Sequence, residues 1–273
     1  EQDIWIQTVK LAGDDALSKI EYNHPRPEAT LDLSVYAGTP AEQAFQHLKN
    51  ELTARFETNI HRTLRLEETP HGIIELAYDE GLIRSGNLAI PVYELEMELK
   101  EGSSSAIFMI AKAWQQQHQF LLDFRSKAER GDILASATIE TAVLDNDFKL
   151  WQPWLAKEPY VNALNKEQTA QLYLEQCARN AAVIAGIDRS DMGSKASPSL
   201  NQHISLLCAA LQQLQQLLAS SSVKAQQDPL LPTLAYYEQE FAATSPEQAK
   251  LLASSIEFQS CLLKILAWII LRS

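Results

Sequence analysis

Residues 94–99 alternate strictly between glutamate and apolar side chains, in the order Glu-Leu-Glu-Met-Glu-Leu. Successive side chains of a β-strand point to opposite faces, so this period of two predicts a strand with all three carboxylates on one face. Pro91 and Tyr93, just before the segment, disfavour a helix and favour a strand. Like charges in one row repel each other unless cations lie among them. The chain is therefore predicted to contain a sheet with one apolar face and one acidic face.

The acidic face of this strand has two interpretations. Carboxylates at this spacing suit a hard divalent ion such as Mg²⁺ or Mn²⁺, because these ions prefer oxygen ligands. The candidate metal ligands are Glu94, Glu96 and Glu98. Alternatively, the face is solvated and forms salt bridges with a neighbouring strand. The six histidines show neither H-x-x-x-H nor H-x-E spacing, so a histidine-ligated metal site is not predicted.

Glycine and helical spacing are distributed unevenly along the 273 residues. Residues 1–135 contain seven of the nine glycines and several alternating segments, whereas residues 136–273 are rich in Gln, Leu and Ala at helical spacing. The pattern predicts an α+β fold with two domains: an antiparallel β-domain with flanking helices over 1–135, and an all-α helical bundle over 136–273. In the first domain we predict strands over 4–10, 18–24, 59–67, 72–78 and 89–100 and helices over 39–56 and 103–119. In the second we predict helices over 138–156, 166–187, 199–221, 229–243 and 246–271.

Turn and cap residues set the predicted boundaries of these elements. Pro25 and Pro27 are expected to end the second strand, because proline cannot donate to a strand ladder. Gly81 and Gly86 are expected to mark the turn between the last two strands. The order Thr-Pro-Ala-Glu at 39–42 is typical of a helix start.

Charge, hydropathy and cysteine spacing exclude several classes of protein. The formal net charge is −12, whereas nucleic acids are bound by basic surfaces, so a nucleic-acid coat protein is not expected. The most apolar stretch, residues 265–271, is far shorter than the about 20 residues of a membrane span, so no membrane partner is expected. The three cysteines form no C-x-x-C pair, which indicates reduced thiols in a cytoplasmic protein. The sequence contains no P-loop, G-x-G-x-x-G or G-x-S-x-G motif.

Isolated basic residues recur at interior-like positions of the predicted strands and in the glycine-containing segment at 125–131. They are Lys10, Lys19, Arg62, Lys127 and Arg130. Each of them alone is most often a surface charge. Together with the glutamate strand they indicate a barrel lined with charge, in which the cations bind a polyanion and the carboxylates bind its metal ions.

Five stretches in order resemble the later portion of a CYTH domain, the fold of the triphosphate tunnel metalloenzymes. They are Trp-Ile-Gln-Thr-Val-Lys at 5–10, Ser-Lys-Ile-Glu-Tyr-Asn at 18–23, Ile-Glu-Leu-Ala-Tyr-Asp-Glu-Gly at 74–81, Tyr-Glu-Leu-Glu-Met-Glu-Leu at 93–99 and Ser-Lys-Ala-Glu-Arg-Gly at 126–131. The chain is most similar to the bacterial inorganic triphosphatases that join CYTH to a helical CHAD domain. Residues 136–273 resemble a divergent CHAD domain, mainly in their position and their helices.

The resemblance implies an antiparallel tunnel of eight strands that hydrolyses inorganic triphosphate to phosphate and diphosphate with Mg²⁺ or Mn²⁺. It implies that the triphosphate is held by Lys10, Lys19, Arg62, Lys127 and Arg130. Glu94 and Glu96, with Glu98, would hold the metal. Glu21 falls where the family has a tunnel glutamate that supports a basic neighbour, so Glu21 and Lys10 are the catalytic candidates.

The sequence departs from the family at its start. The family's E-x-E-x-K and R-x-R patterns do not occur before Lys10. We therefore expect an incomplete tunnel, lacking its N-terminal part, and weak or absent activity for this chain. Two alternatives stay open: a module that binds polyphosphate or a nucleotide without turnover, and a class IV adenylate cyclase, which shares the CYTH fold.

Overall fold

The computed structural model describes residues 4–12, 19–45, 52–139, 166–186, 200–220 and 229–271. The chain forms two compact units, residues 1–54 and residues 55–273. The helix predicted over 138–156 lies, from residue 140 onward, outside the described residues.

The first unit is built on an antiparallel hairpin of β1 (Trp5–Ala12) and β2 (Lys19–Arg26). Its register pairs Trp5 with Arg26 and Ala12 with Lys19. The prediction that Pro25 ends the second strand is wrong, because Pro25 lies within β2 opposite Ile6. Both strands of a two-stranded sheet are edge strands, where proline's missing amide hydrogen is tolerated.

A short 3₁₀ helix (Leu33–Tyr36) and α1 (Pro40–Phe45) follow the hairpin. Asp32 caps the 3₁₀ helix by accepting a hydrogen bond of 3.0 Å from the amide of Ser34. Tyr36 is buried, and its ring lies edge-on to His24 with 5.0 Å between centroids. This aromatic contact joins the helical segment to β2.

The predicted helix over 39–56 does not extend as far as Phe56. Residues 52–56 are not helical, and the backbone carbonyl of Arg55 accepts a hydrogen bond of 2.8 Å from Ser85. Phe56 packs against a cluster that includes Ile83 and Val92. These tertiary contacts outweigh the local helical pattern at residues 52–56, just before the strand that follows.

The second unit begins with a three-stranded antiparallel sheet in the order β3 (Glu57–Thr69), β4 (Gly72–Ser85) and β5 (Leu88–Gly102). The turn at Gly86, which has a φ of 53°, was predicted. Gly81 is not a turn: it lies inside β4, where an added Cβ would be 2.0 Å from the carbonyl oxygen of Asn59. Only glycine allows the two strands to approach this closely.

The two faces of this sheet are covered by different helices. Helix α2 (Ser105–His118) packs on the face that contains Ile74 and Leu76, together with the apolar side chains of the glutamate strand. Helix α3 (Lys127–Ile139) packs through Leu134 on the opposite face, against Ile83, Ile90 and Val92. The predicted alternation of residues 94–99 is thus present, and its acidic side lies on the α3 face.

The other described helices of the second unit are α4 (Lys166–Ala185), α5 (Leu200–Ala219), α6 (Leu230–Ala243), α7 (Pro246–Ser254) and α8 (Ile256–Ile270). They share one apolar core, to which α5 contributes the buried side chains of Leu207, Leu211 and Leu214. The single helix predicted over 246–271 is instead two helices, because Ser255 ends α7 and caps α8 by accepting a hydrogen bond from the amide of Phe258.

The described residues contain antiparallel sheets and helices. The α+β class with antiparallel sheets is confirmed. Neither described sheet closes on itself, so the tunnel stays a prediction, as does the domain boundary near residue 135. In the described ranges no single helix has both the length and the apolar character of a membrane span; α7 and α8 meet that criterion only as a pair, which is bent by 56°.

Candidate metal and anion site

The α3 face of the three-stranded sheet brings charged residues from all three strands into one row. Arg62 on β3, Asp79 on β4 and Glu94 on β5 lie directly opposite one another in the register. Glu96 lies two residues beyond Glu94 on the same face. The side chain of Asp79, on the central strand, is 0% exposed. A carboxylate buried to this degree requires cations beside it.

Helix α3 supplies two further cations to this row. Lys127 is in its first turn and Arg130 follows three residues later, so both lie on one side of the helix. Ser126 accepts a hydrogen bond of 3.1 Å from the amide of Glu129, which stabilises the start of the helix. The side chains of Lys127 and Arg130 are 15% and 7% exposed, so both are largely withdrawn from solvent.

The ammonium group of Lys127 contacts three carboxylates. Its Nζ atom lies 2.5 Å from Oδ2 of Asp79 and 2.7 Å from Oε1 of Glu96, and it also donates to Oε1 of Glu94. The guanidinium of Arg62 donates to both oxygens of Asp79, from Nε and Nη2, at 2.6 Å each. This paired geometry is the strong form of an arginine–carboxylate contact.

Two more contacts complete the cluster. Nη2 of Arg62 also donates to Oε2 of Glu96 at 2.6 Å, and Nη2 of Arg130 donates to Oε2 of Glu94. Three carboxylates and three basic groups therefore balance to a formal charge of zero. The buried Nε of Arg130 has no hydrogen-bond partner among the described residues.

The contacts within the cluster favour the charged forms of Asp79, Glu96 and Lys127. Burial alone would raise the pKa of Asp79, but hydrogen bonds from Arg62 and Lys127 outweigh it and lower the pKa below its ordinary value. The pKa of Glu96 is lowered in the same way, against its burial, mainly by the hydrogen bond from Lys127. Burial would lower the pKa of Lys127, yet its hydrogen bonds to the carboxylates raise it.

Asp79, Glu94 and Glu96 are the carboxylates in the described residues that could share one cation. One oxygen from each lies within 4.8 Å of the other two. A ligand set made only of carboxylate oxygens suits a hard divalent ion. Glu98, a predicted ligand, lies on the same face but outside this triad: its carboxylate is 3.2 Å from Nζ of Lys100.

The predicted phosphate-binding residues fall into two groups. Arg62, Lys127 and Arg130 meet in this cluster of the second unit. Lys10 and Lys19 belong to the first unit, where Lys10 lies opposite Glu21 in the register and 2.6 Å from its carboxylate. Both partners of that ion pair are more than a third exposed. The roles of these residues remain predictions.

Sequence reasoning missed Asp79 as a member of the cluster. The sequence pattern that could have identified Asp79 is the alternation within its strand. The residues two before and two after it are Ala77 and Gly81, which are small and lie on the same face. Small residues around a charge in an apolar strand indicate a close neighbour above that face. Here the neighbour is the first turn of α3.

A triad of carboxylates among basic side chains is a kind of site that suits a cation and a polyanion together. No family model matches the chain. The chain is similar to an inorganic triphosphatase of Haemophilus influenzae, with 29% identity over 168 residues. The aligned region is 59% of this chain and 44% of that protein, so the chain spans less than half of that protein's length.

Proposed function

We propose that this chain belongs to a metal-dependent phosphoanhydride hydrolase whose substrate is inorganic triphosphate. The observation that supports this most directly is the cluster of three carboxylates and three basic side chains on one sheet face. The similarity to a protein named inorganic triphosphatase supports the same chemistry. The proposal includes a CYTH-like tunnel domain over 1–135, a CHAD-like domain over 136–273 and a cytoplasmic location.

Asp79, Glu94 and Glu96 would hold the metal ion, which we propose to be Mg²⁺ or Mn²⁺. When bound, such an ion supplies positive charge that offsets the charge of phosphate oxygens and polarises them. Glu98 would lie near the ion without binding it directly, since its carboxylate already contacts Lys100.

The basic residues would bind the triphosphate itself. Arg62 and Arg130 have planar forks that match two phosphate oxygens at once, and Arg130 has an unused Nε–H. Lys127 would contribute a mobile point charge. Lys10 and Lys19 of the first unit are likewise proposed to bind phosphate, with Glu21 orienting Lys10 through their ion pair.

The chemistry follows from charge. A triphosphate repels a nucleophile until its oxygens are neutralised, and fixed cations also stabilise the negative charge that develops on the leaving diphosphate. Water adds to the terminal phosphorus, the bridging P–O bond breaks, and the products are phosphate, diphosphate and a proton released to solvent. Arg62 and Arg130 hold the substrate still during this exchange.

The test is phosphate release from inorganic triphosphate with Mg²⁺ and with Mn²⁺, using Glu96→Gln as the site variant. Glu80→Gln is the matched control, because Glu80 is exposed on β4 and points to the opposite face from Asp79. Because the tunnel is expected to be incomplete in this chain, any release should be weak; we expect it to depend on metal, to be abolished by Glu96→Gln and to be retained by Glu80→Gln. Equal release by both variants would contradict the proposed site.

Two further measurements separate the alternatives. ATP is supplied as a second substrate and followed for phosphate, diphosphate and cyclic AMP; cyclic AMP as the product would indicate a cyclase. Triphosphate binding is measured by calorimetry in the presence of metal. Binding without release of phosphate would indicate a binding module in place of an enzyme.

A further inference from the structure

The position of Lys127 within the carboxylate triad goes beyond the role of a phosphate ligand. Its single ammonium group contacts Asp79, Glu94 and Glu96 together, the same three residues whose oxygens converge within 4.8 Å. Arg62, in contrast, contacts two of these carboxylates, Asp79 and Glu96, and Arg130 contacts one, Glu94. Lys127 is thus the one cation of the described cluster that lies among all three.

An ammonium group and a divalent ion cannot both occupy that position. The Nζ contacts of 2.5 and 2.7 Å use one oxygen each of Asp79 and Glu96, two of the three carboxylates that could hold the ion. A magnesium ion needs oxygens at about 2.0–2.1 Å, and it repels a neighbouring ammonium group. Lys127 can leave, because its charge is on a flexible four-carbon stem.

We propose that Lys127 occupies the metal position in the metal-free protein and must be displaced before a divalent ion binds. This inference rests on the proposed function, since it assumes that the triad is the metal site. The displaced ammonium group then faces the bound triphosphate. The three carboxylates are balanced by Arg62, Lys127 and Arg130 in the metal-free cluster, so the site gains two positive charges when the ion enters. Metal and triphosphate therefore bind cooperatively, and metal alone binds weakly.

The first experiment measures Mn²⁺ binding without triphosphate, from the loss of the free-ion signal in electron paramagnetic resonance. The variant is Lys127→Met, which keeps the length of the side chain and removes its charge. We expect it to bind Mn²⁺ at least about tenfold more tightly than the wild type, because the competing cation is gone. Adding triphosphate should tighten Mn²⁺ binding in the wild type more than in the variant.

The matched control is Lys100→Met. Lys100 contacts Glu75 and Glu98, at 3.5 and 3.2 Å, so its removal also leaves two carboxylates on the sheet without their cation. We expect this variant to bind Mn²⁺ as the wild type does. An equal gain in both variants would overturn the inference, because the gain would then reflect general charge and not the metal position.

The second experiment uses the wild-type protein, so it does not depend on the folding of a variant. Lysines are acetylated with a limiting amount of an amine-reactive acetylating reagent, with and without saturating Mn²⁺. The extent of acetylation at each lysine is quantified by mass spectrometry. We expect Lys127 to be slow in the metal-free protein and several times faster with Mn²⁺, while Lys100 is unchanged. A Lys127 rate that Mn²⁺ does not alter would overturn the inference.

Failure of the inference and failure of the proposed function give different results. If the wild type hydrolyses triphosphate, Glu96→Gln does not, and Lys127→Met binds Mn²⁺ no more tightly than the wild type, the proposed function stands and the inference falls. If no variant binds Mn²⁺ with or without triphosphate, both fall. If Lys127→Met binds Mn²⁺ more tightly but the wild type does not hydrolyse triphosphate, the inference is supported and the proposed hydrolase function is contradicted.

Discussion

Replacing Asp79 by asparagine removes the buried charge on which two cations converge. Arg62 loses its paired contact of 2.6 Å at each oxygen, and Lys127 loses its contact of 2.5 Å. Breaking a fully buried ion pair costs about 3–5 kcal/mol in the free energy of unfolding. The side chain of Arg62 is 41% exposed, so water recovers part of this loss. We expect Asp79→Asn to lower the free energy of unfolding of the second unit by about 2–3 kcal/mol.

The assay is urea unfolding followed by circular dichroism and by tryptophan fluorescence, since Trp114 packs against the sheet. Glu80→Gln is the control: it changes the next residue of β4, which is exposed and points to the opposite face, and it should stay within about 0.5 kcal/mol of the wild type. If Asp79→Asn also stays within that range, the cluster does not stabilise the sheet and the reasoning fails.

The pH dependence gives the sign of the same effect. The folded-state pKa of Asp79 is lowered below its ordinary value of 3.8, so its contribution is complete above that pH and is lost as the pH falls through the lower, folded-state pKa. The stability difference between the wild type and Asp79→Asn should therefore be constant near neutral pH and shrink below about pH 4. A difference that grows on acidification would contradict the assignment.

Three predictions address other parts of the fold. Gly81→Ala should destabilise the sheet by about 1–3 kcal/mol in urea unfolding, because its Cβ would meet the Asn59 carbonyl at 2.0 Å; an unchanged midpoint would show that the strands can separate freely. Ser255→Ala should cost about 1 kcal/mol in thermal unfolding through loss of the α8 cap, and Ser255→Thr should retain most of it. Burial raises the pKa of the Cys177 thiol above its usual range, so iodoacetamide at pH 8 should modify the half-buried Cys208 first, and faster labelling of Cys177 by mass spectrometry would contradict its burial.

Local periodicity was sufficient to predict part of this structure. The alternation at 94–99 is a property of one strand, and it predicted correctly which side chains share a face. The helices α4, α5 and α6 were likewise predicted to within two residues at each end, because their apolar spacing is continuous. Both signals depend on neighbours within a few residues.

The composition of the charged cluster could not be predicted in this way. Asp79 meets Glu94 only through the register of two strands, and Lys127 reaches both only because α3 docks on that face. Helix α3 was not among the helices predicted from the sequence. In the structure Gly131 lies within this helix. A Cβ at this position would be 2.3 Å from the Phe56 ring, so glycine leaves room for the ring. These are contacts between residues far apart in sequence.

The first turn of α3 has two attachments, and their consequence is thermodynamic. Lys127 and Arg130 hold it to the sheet, while Glu129 on the same turn accepts hydrogen bonds from Arg179 of α4, one of them at 3.1 Å. Any ligand that binds the sheet better with α3 displaced is therefore linked to the strength of the Glu129–Arg179 pair. By reciprocity, a change in the helical bundle that loosens this pair alters the affinity of the sheet by the same factor. The stability of the contact between α3 and α4 therefore contributes to the free energy of ligand binding at the charged face of the sheet.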